Sequence, residues 1–183
     1  EDIETSYKER LSDVYDKLET LVQKKDIRKS EIIEHSSYVS ELARYIMTDL
    51  KEFRKIQGDD TLGGMVICET SEQARRLYDV FQEEWQKYQP KPIKIKFSDG
   101  SYVVGEPEVD YKSKYRPLKA GIILHDTDDK ETRKQIVKDF KKNMTVDILI
   151  VFNMLLTGFD APRLKRLYFG RKPVSYTHLR AHE

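Results

Sequence analysis

Cysteine is almost absent from this chain of 183 residues, because Cys68 is the only one. A single thiol excludes an intrachain disulfide framework and fits a reducing compartment. Long apolar runs are absent as well. No window approaches the about 18 consecutive apolar residues of a membrane span, and no apolar segment at the start resembles a secretory signal. We therefore expect a cytoplasmic protein that makes no contact with a membrane.

The chain also lacks an excess of charge of either sign. It carries 33 basic and 32 acidic side chains, for a net charge of +1, while 36% of its residues are charged. Near neutrality does not exclude a nucleic-acid partner, because the basic residues gather towards the C-terminal half. The length allows one domain of ordinary size, or one domain with a helical extension.

The first third of the chain has the apolar spacing of amphipathic helices. Apolar residues recur every three or four positions, at Ile3, Tyr7, Leu11, Val14, Leu18 and Leu21, and again at Val39, Leu42, Ile46, Leu50 and Phe53. This period predicts two helices with one apolar face each. We expect residues 1–61 to be a helical connecting segment without chemistry of its own.

Beyond Gly63 the pattern changes to short apolar runs separated by helical stretches. The runs cover residues 65–68, 121–125, 147–152 and 167–169. Continuous apolar runs of this length are typical of strands buried on both faces. Strands that alternate with helices predict an α/β fold, with a parallel sheet covered by helices on both faces.

Two segments depart from this alternation. Residues 90–118 hold a possible hairpin, 93–97 with 102–104, and we expect them to form an insertion. Residues 173–183 resemble a translated adapter fused to a truncated reading frame, and we expect this tail to be foreign. The alternative is a short helix with His178 and His182 as a metal pair, which lacks a third ligand.

One loop carries residues suited to binding a nucleotide. A predicted strand leads into Thr157, Gly158 and Asp160, and Pro162 closes the loop. Loops at the carboxyl ends of parallel strands form the ligand crevice of such sheets. Glycine lets a phosphate or ribose approach the backbone, and a carboxylate accepts from sugar hydroxyls. Taken alone, the same residues are better explained by turn geometry, for which many loops between strands and helices carry them.

Three blocks give the sequence a family resemblance. They are residues 64–71 with Ala74, residues 123–126 with Arg133 and Phe140, and "MLLTGFDAP" at residues 154–162. Together they resemble the second RecA-like domain of superfamily 2 helicases and translocases. The first two blocks are generic to that superfamily, while the third is similar to the restriction (motor) subunit of type I restriction–modification enzymes. The resemblance covers about residues 62–172.

The resemblance implies roles for individual residues. Those that would face a nucleotide between two RecA-like domains are Gly158, Asp160 and Asn153. Those that would lie along the DNA are Thr70, Ser71, His125 and Thr157. It also implies ATP and Mg²⁺, shared with a first RecA-like domain that is not in this sequence. The implied partners are double-stranded DNA and the methylation and specificity subunits.

The sequence departs from the family pattern in several places. Asp126 follows His125 where glycine is usual, and Asn153 stands where aspartate is common. The Gly-Lys-Thr phosphate loop and the acidic magnesium box belong to the first domain and are absent. We therefore expect no catalytic residue and no metal site in this fragment, and no ATPase activity from it alone.

The sequence thus predicts a fragment of the ATP-dependent translocating subunit. Residues 1–61 would connect, residues 62–172 would form the second RecA-like domain with its 90–118 insertion, and residues 173–183 would be foreign. Two alternatives remain at this stage. One is the second motor domain of another superfamily 2 DNA or RNA helicase, and the other is a non-enzymatic α/β interaction module.

Overall fold

The computed structural model describes residues 3–23, 29–88, 93–97, 100–105, 117–124, 129–152, 159 and 161–171. In chain order the helices and strands are α1 (Ile3–Gln23), α2 (Lys29–Glu34), α3 (Ser36–Gln57), β1 (Gly63–Cys68), α4 (Ser71–Lys87), β2 (Ile93–Lys96), β3 (Tyr102–Gly105), β4 (Ala120–Leu124), α5 (Lys130–Lys138), a π-helical turn (Asp139–Asn143), β5 (Ile148–Phe152) and β6 (Leu164–Phe169). Within these ranges no helix has the length and apolar character needed to cross a membrane.

The main sheet has four strands in the order β4-β5-β1-β6, and every neighbouring pair is parallel. Strand β1 lies inside the sheet, with Val66 beside Ile150 on one side and Tyr168 on the other. Its two neighbours come from the last part of the described chain. The predicted α/β fold with a parallel sheet is therefore confirmed, and a helical segment precedes it.

Successive residues of a strand point to opposite sides of the sheet, so each face has its own set of apolar side chains. Helices cover both of these faces. On one face Val66, Cys68 and Ile150 pack with the buried residues of α3 and α4, including Ile46 and Leu77. On the other face Met65, Leu149 and Val151 pack with Ile123 and Phe140. Phe140 belongs to the π-helical turn that follows α5.

Helix α3 is bounded by two recognisable caps. His35 adopts an extended backbone, and its Nδ1 accepts from the N–H of Ser37 at 3.2 Å. Gly58 ends the helix in the left-handed conformation, with φ at 65°. The helix also reaches the sheet, because the Tyr168 hydroxyl of β6 donates to the Asp49 carboxylate at 2.7 Å. Burial raises the pKa of Tyr168, and the Asp49 charge raises it further.

A buried ionic cluster joins α3 to the edge of the sheet where the strands begin. Arg54 donates to Asp147 Oδ1 at 2.6 Å and to the carbonyl of Leu62 at 2.7 Å. The other oxygen of Asp147 accepts from the N–H of Lys119 at 2.9 Å. Arg163 donates to the carbonyls of Phe140 and Val146. The cluster ties the helical segment to the starts of β1, β4 and β5.

Several element boundaries differ from the sequence predictions. The short helix α2 was not predicted, because the second apolar period begins only at Val39. Strand β6 begins at Leu164, three positions before the predicted run. The prediction began too late because the charged residues Lys165 and Arg166 interrupt the apolar pattern. The hairpin of residues 93–105 is present as β2 and β3. The predicted insertion also includes residues 106–116, and they and the tail 173–183 lie outside the described residues.

Candidate functional site

The four parallel strands place their ends along one edge of the sheet, which we call the carboxyl edge. It is marked by Cys68, Leu124, Phe152 and Phe169, the last residues of β1, β4, β5 and β6. In an open parallel sheet this edge is where ligands bind. The segments with the predicted site residues follow three of these strands directly.

Five of the predicted residues cannot be placed. His125, Asn153, Thr157, Gly158 and Asp160 lie outside the described residues, so their predicted roles stay predictions. Their strands are adjacent, since β5 lies between β4 and β1.

Of the third block, residues 154–162, the structure describes Phe159, Ala161 and Pro162. The ring of Phe159 lies 6.1 Å from that of Phe140. The ammonium of Lys141 sits 4.4 Å from the ring centroid of Phe159. Phe159 therefore packs on the face of the sheet that α5 covers.

Thr70 and Ser71 are the predicted site residues that the structure describes. Thr70 caps α4, and its hydroxyl oxygen accepts from the N–H of Gln73 at 3.0 Å. The hydroxyl proton can still be donated to an anion. The N–H groups of Ser71 and Glu72, the first two of the helix, have no carbonyl partner within it. Both residues therefore bring backbone and hydroxyl donors to the carboxyl edge.

The charges around this helix start are nearly balanced. Glu69 and Glu72 are exposed, as are Arg75 and Arg76. Arg76 pairs with Glu72 at 2.7 Å and also donates to the carbonyl of Glu34 at 2.8 Å. An anion bound here would be held by N–H and O–H groups and the helix dipole more than by net positive charge.

A buried glutamine behind the loop was not anticipated from the sequence. Gln73 is fully buried, its Oε1 accepts from the N–H of Glu69 at 3.0 Å, and its Nε2 donates to the carbonyl of Gly170. It therefore links the loop of residues 69–71 to the end of β6. The available signal was weak: Gln73 falls next to Ala74 on the inner stripe of α4, where an apolar residue is usual.

A basic groove lies beside α5. It has a volume of about 420 Å³ and is lined by Ile123, Lys130, Arg133, Lys134 and Val137. Ile123 is the next-to-last residue of β4, so the groove opens near the carboxyl edge. Asp129 caps α5 by accepting from the N–H of Thr132 at 2.7 Å, and this bond lowers the pKa of the Asp129 carboxyl. The side chains of the groove provide apolar contact together with three cations.

Cys68 is a buried core residue, and desolvation raises the pKa of its thiol to about 12. No group of three or more His, Cys, Asp or Glu side chains in the described part could hold a metal ion.

Comparison with known proteins agrees with the fold. No curated protein matches the chain. The model of the family described as type I restriction enzyme subunit R domain 3 matches residues 61–181. This range contains all four strands of the parallel sheet and both described residues of the candidate site. The chain therefore belongs to the type I restriction enzyme subunit R family and is a fragment of such a subunit.

Proposed function

We propose that this chain is part of the ATP-dependent, DNA-translocating motor of a type I restriction enzyme. In this role residues 62–172 form the second RecA-like domain, which contributes half of an ATP site and part of the DNA track. The observation that carries the proposal is the carboxyl edge of the parallel sheet, which lies within the range matched by the family model. At this edge the 69–71 loop follows β1, and the neighbouring strands β4 and β5 lead to the blocks at residues 123–126 and 154–162.

The DNA contacts would be made to the phosphate backbone. Thr70 and Ser71 offer hydroxyl and N–H donors at the start of α4, and the groove beside α5 adds Lys130, Arg133 and Lys134. Such contacts carry no sequence information, as a motor that steps along any sequence requires. His125 and Thr157 would complete the track.

The nucleotide would bind between this domain and a first RecA-like domain. Gly158, Asp160 and Asn153 would face it from this side, and the phosphate loop and the magnesium-binding carboxylates would come from the other. ATP binding would close the two domains on each other and hydrolysis would release them, which converts turnover into movement along double-stranded DNA. The parent would be a hydrolase that works with methylation and specificity subunits.

The decisive measurement is binding of a fluorescent DNA duplex to this chain at low salt. We expect weak binding that is equal for unrelated sequences and falls steeply as salt is added. A triple variant, Lys130→Gln, Arg133→Gln and Lys134→Gln, should lower the slope of log affinity against log salt by up to about 3.

A charge-matched control uses exposed cations far from the carboxyl edge. Lys55 lies in the last turn of α3, Lys87 in the last turn of α4 and Lys142 in the last turn of the π-helical segment. None of these positions directly follows a strand of the sheet. Their triple change to glutamine should leave the salt slope close to that of the unmodified chain. Equal losses in both triple variants, or no binding at low salt, would refute the proposed DNA track.

The proposal that this domain contributes half of an ATP site has a separate test. The chain alone should show no DNA-stimulated ATP turnover, because the phosphate loop is on the missing domain. Hydrolysis that depends on Mg²⁺ and DNA, and that Asp160→Ala abolishes, would contradict the assignment of half a site.

A further inference from the structure

A glutamine side chain stands between the ends of two neighbouring parallel strands. Gln73 is fully buried in the first turn of α4. Its Oε1 accepts from the N–H of Glu69 at 3.0 Å, and its Nε2 donates to the carbonyl of Gly170. Both polar atoms of the carboxamide are thus bonded to backbone at the carboxyl ends of β1 and β6.

The ladder between these strands identifies what the carboxamide replaces. Gly170 donates its N–H to the carbonyl of Ile67 at 2.8 Å. In a parallel ladder, the carbonyl of that donor residue normally accepts from the N–H two positions further along the partner strand, here Glu69. Instead, Gln73 receives the Glu69 N–H and supplies the donor for Gly170. A carboxamide has the donor and acceptor of a peptide group, so it takes the place of the last rung and separates the strand ends.

The residue opposite leaves room for this insertion. A Cβ added to Gly170 would lie 2.6 Å from Gln73 Oε1 and 3.0 Å from its Cδ and Nε2. Real Cβ atoms do not approach so closely, so a side chain at position 170 would require the buried carboxamide to shift away from its two backbone partners. Gly170 and Gln73 are therefore matched to one another.

Packing alone does not account for a glutamine at this position. Burying an amide is unfavourable unless its hydrogen bonds are replaced, whereas an apolar side chain of similar length would fill the space without that cost. Among the described residues, the carboxamide bonds to the two backbone segments that it separates. Together with the Thr70 cap, it fixes the loop from both sides.

We propose that Gln73 is a positioning residue for the DNA-contacting loop of residues 69–71. By holding the ends of β1 and β6 apart, it sets the direction of the N–H groups at the start of α4. Without it Glu69 is free to pair directly with Gly170, and that closure shifts the loop. The role rests on the proposed function, since it assigns the loop to phosphate contact, but the positioning itself can be measured without DNA.

The first test compares backbone amide resonances in Gln73→Met, which keeps the side-chain length and removes both hydrogen bonds. We expect shifts at residues 69–71 and at Gly170, while Ile122 and Ile150 in the β4–β5 ladder remain unchanged. Gly170→Ala should shift the same loop, and should have a smaller effect when combined with Gln73→Ala. Unchanged loop resonances in Gln73→Met would overturn the inference.

The second test uses Gln73→Glu, because a protonated carboxyl has the same donor and acceptor as the carboxamide. At low pH the loop resonances and the affinity for a DNA duplex should match those of the unmodified chain. When the introduced carboxyl ionises, its donor is lost and a charge faces the Gly170 carbonyl, so affinity should fall by about tenfold or more. The exposed Gln57, in the last turn of α3 at the opposite edge of the sheet, gives the control Gln57→Glu, for which no such loss is expected.

The outcomes separate the two proposals. If the unmodified chain binds no DNA, the proposed function fails, and the pH rescue of the loop resonances still decides the role of Gln73. If DNA binds and Gln73→Glu has the same affinity and loop resonances at both pH values, the positioning role fails and the proposed function stands. Should Gln73→Met not fold, the glutamate variant at low pH supplies the comparison.

Discussion

Arg54 and Asp147 form a buried ion pair, 2.6 Å apart, between side chains that are separated by 93 positions in the sequence. Arg54 belongs to helix α3, and Asp147 directly precedes β5. The two side chains are only 7% and 1% exposed. The pair therefore holds the helical segment against the sheet at the edge opposite the candidate site.

The first prediction concerns this pair. Arg54→Met keeps most of the aliphatic packing but leaves the Asp147 carboxylate without its closest cation. We expect a loss of about 3 kcal/mol in the free energy of unfolding, because the buried carboxylate would be left with the more distant cation of Arg163, 3.9 Å away. Urea unfolding monitored by circular dichroism measures it. The control is Lys134→Met in the exposed pair with Glu131, which should cost at most about 1 kcal/mol. Similar losses in both variants would contradict the prediction.

A second prediction compares two buried tyrosines. The hydroxyl of Tyr38 has no hydrogen-bond partner within the described part of the chain, whereas that of Tyr168 donates to Asp49. Tyr38→Phe should leave stability unchanged or raise it, since it removes an unsatisfied buried hydroxyl. Tyr168→Phe should cost about 1 kcal/mol, because it leaves Asp49 without that donor. The order of the two unfolding midpoints checks the prediction, and the reverse order would refute it.

The cap of α4 supplies a third prediction. Thr70→Val keeps the shape of the side chain but removes the oxygen that accepts from Gln73, so we expect a loss of about 1 kcal/mol in unfolding free energy. Thr70→Ser keeps the acceptor and should lose only a few tenths of that amount. Equal stability of the valine and serine variants in urea would show that the cap does not contribute.

The fourth prediction is a pH dependence at the start of α5. Hydrogen bonds from Thr132 hold the pKa of Asp129 below its ordinary value of 3.8. A carboxyl whose folded-state pKa is depressed stabilises the fold above its unfolded pKa, and that contribution disappears as pH falls through the folded value. Asp129→Asn keeps a capping oxygen that does not titrate.

The corresponding measurement is the difference in urea midpoint between the unmodified chain and Asp129→Asn, from neutral pH into the acid range. The advantage of the unmodified chain should shrink as the pH falls. Contributions from other carboxyls cancel in this difference because both proteins share them. A difference that stays constant with pH would contradict the prediction.

The fifth prediction concerns Cys68, the only thiol of the chain. It is 3% exposed, and burial raises its pKa to about 12. Alkylating reagents attack the thiolate, so iodoacetamide at neutral pH should not label the folded chain, and should label it once in urea. Mass spectrometry measures the labelling rate. If the folded protein is labelled as fast as the unfolded one, the prediction is wrong and the end of β1 opens readily.

The sequence was sufficient for the features set by local periodicity. The apolar runs around Met65, Ile122 and Leu149 predicted three buried strands, and the alternation with helices predicted their parallel arrangement. Thr70 and Ser71 are neighbouring hydroxyl residues that both suit a helix cap, and the structure uses Thr70. The period of side chains along a helix does not determine which of two neighbouring hydroxyl residues adopts the extended backbone.

Long-range polar partners could not be predicted in the same way. Arg54 and Arg163 look like ordinary surface residues in a chain in which more than a third of the residues are charged. Their burial depends on Asp147, which only the folded topology brings close. Gln73 was missed for the same reason, since its two backbone partners, Glu69 and Gly170, are 101 positions apart along the chain and only one of them lies near it.

The position of β1 inside the sheet has a consequence for how this domain is made. Its two neighbours are β5, which begins at Ile148, and β6, which begins at Leu164. They are the last of the described strands to be synthesised. During translation β1 therefore leaves the ribosome before either of its partner strands. Both of its hydrogen-bonding edges stay unpaired until roughly a hundred more residues have been added. Contacts of such long sequence separation slow folding. Until β6 emerges, the nascent chain presents an apolar strand that chaperones or other nascent chains can bind.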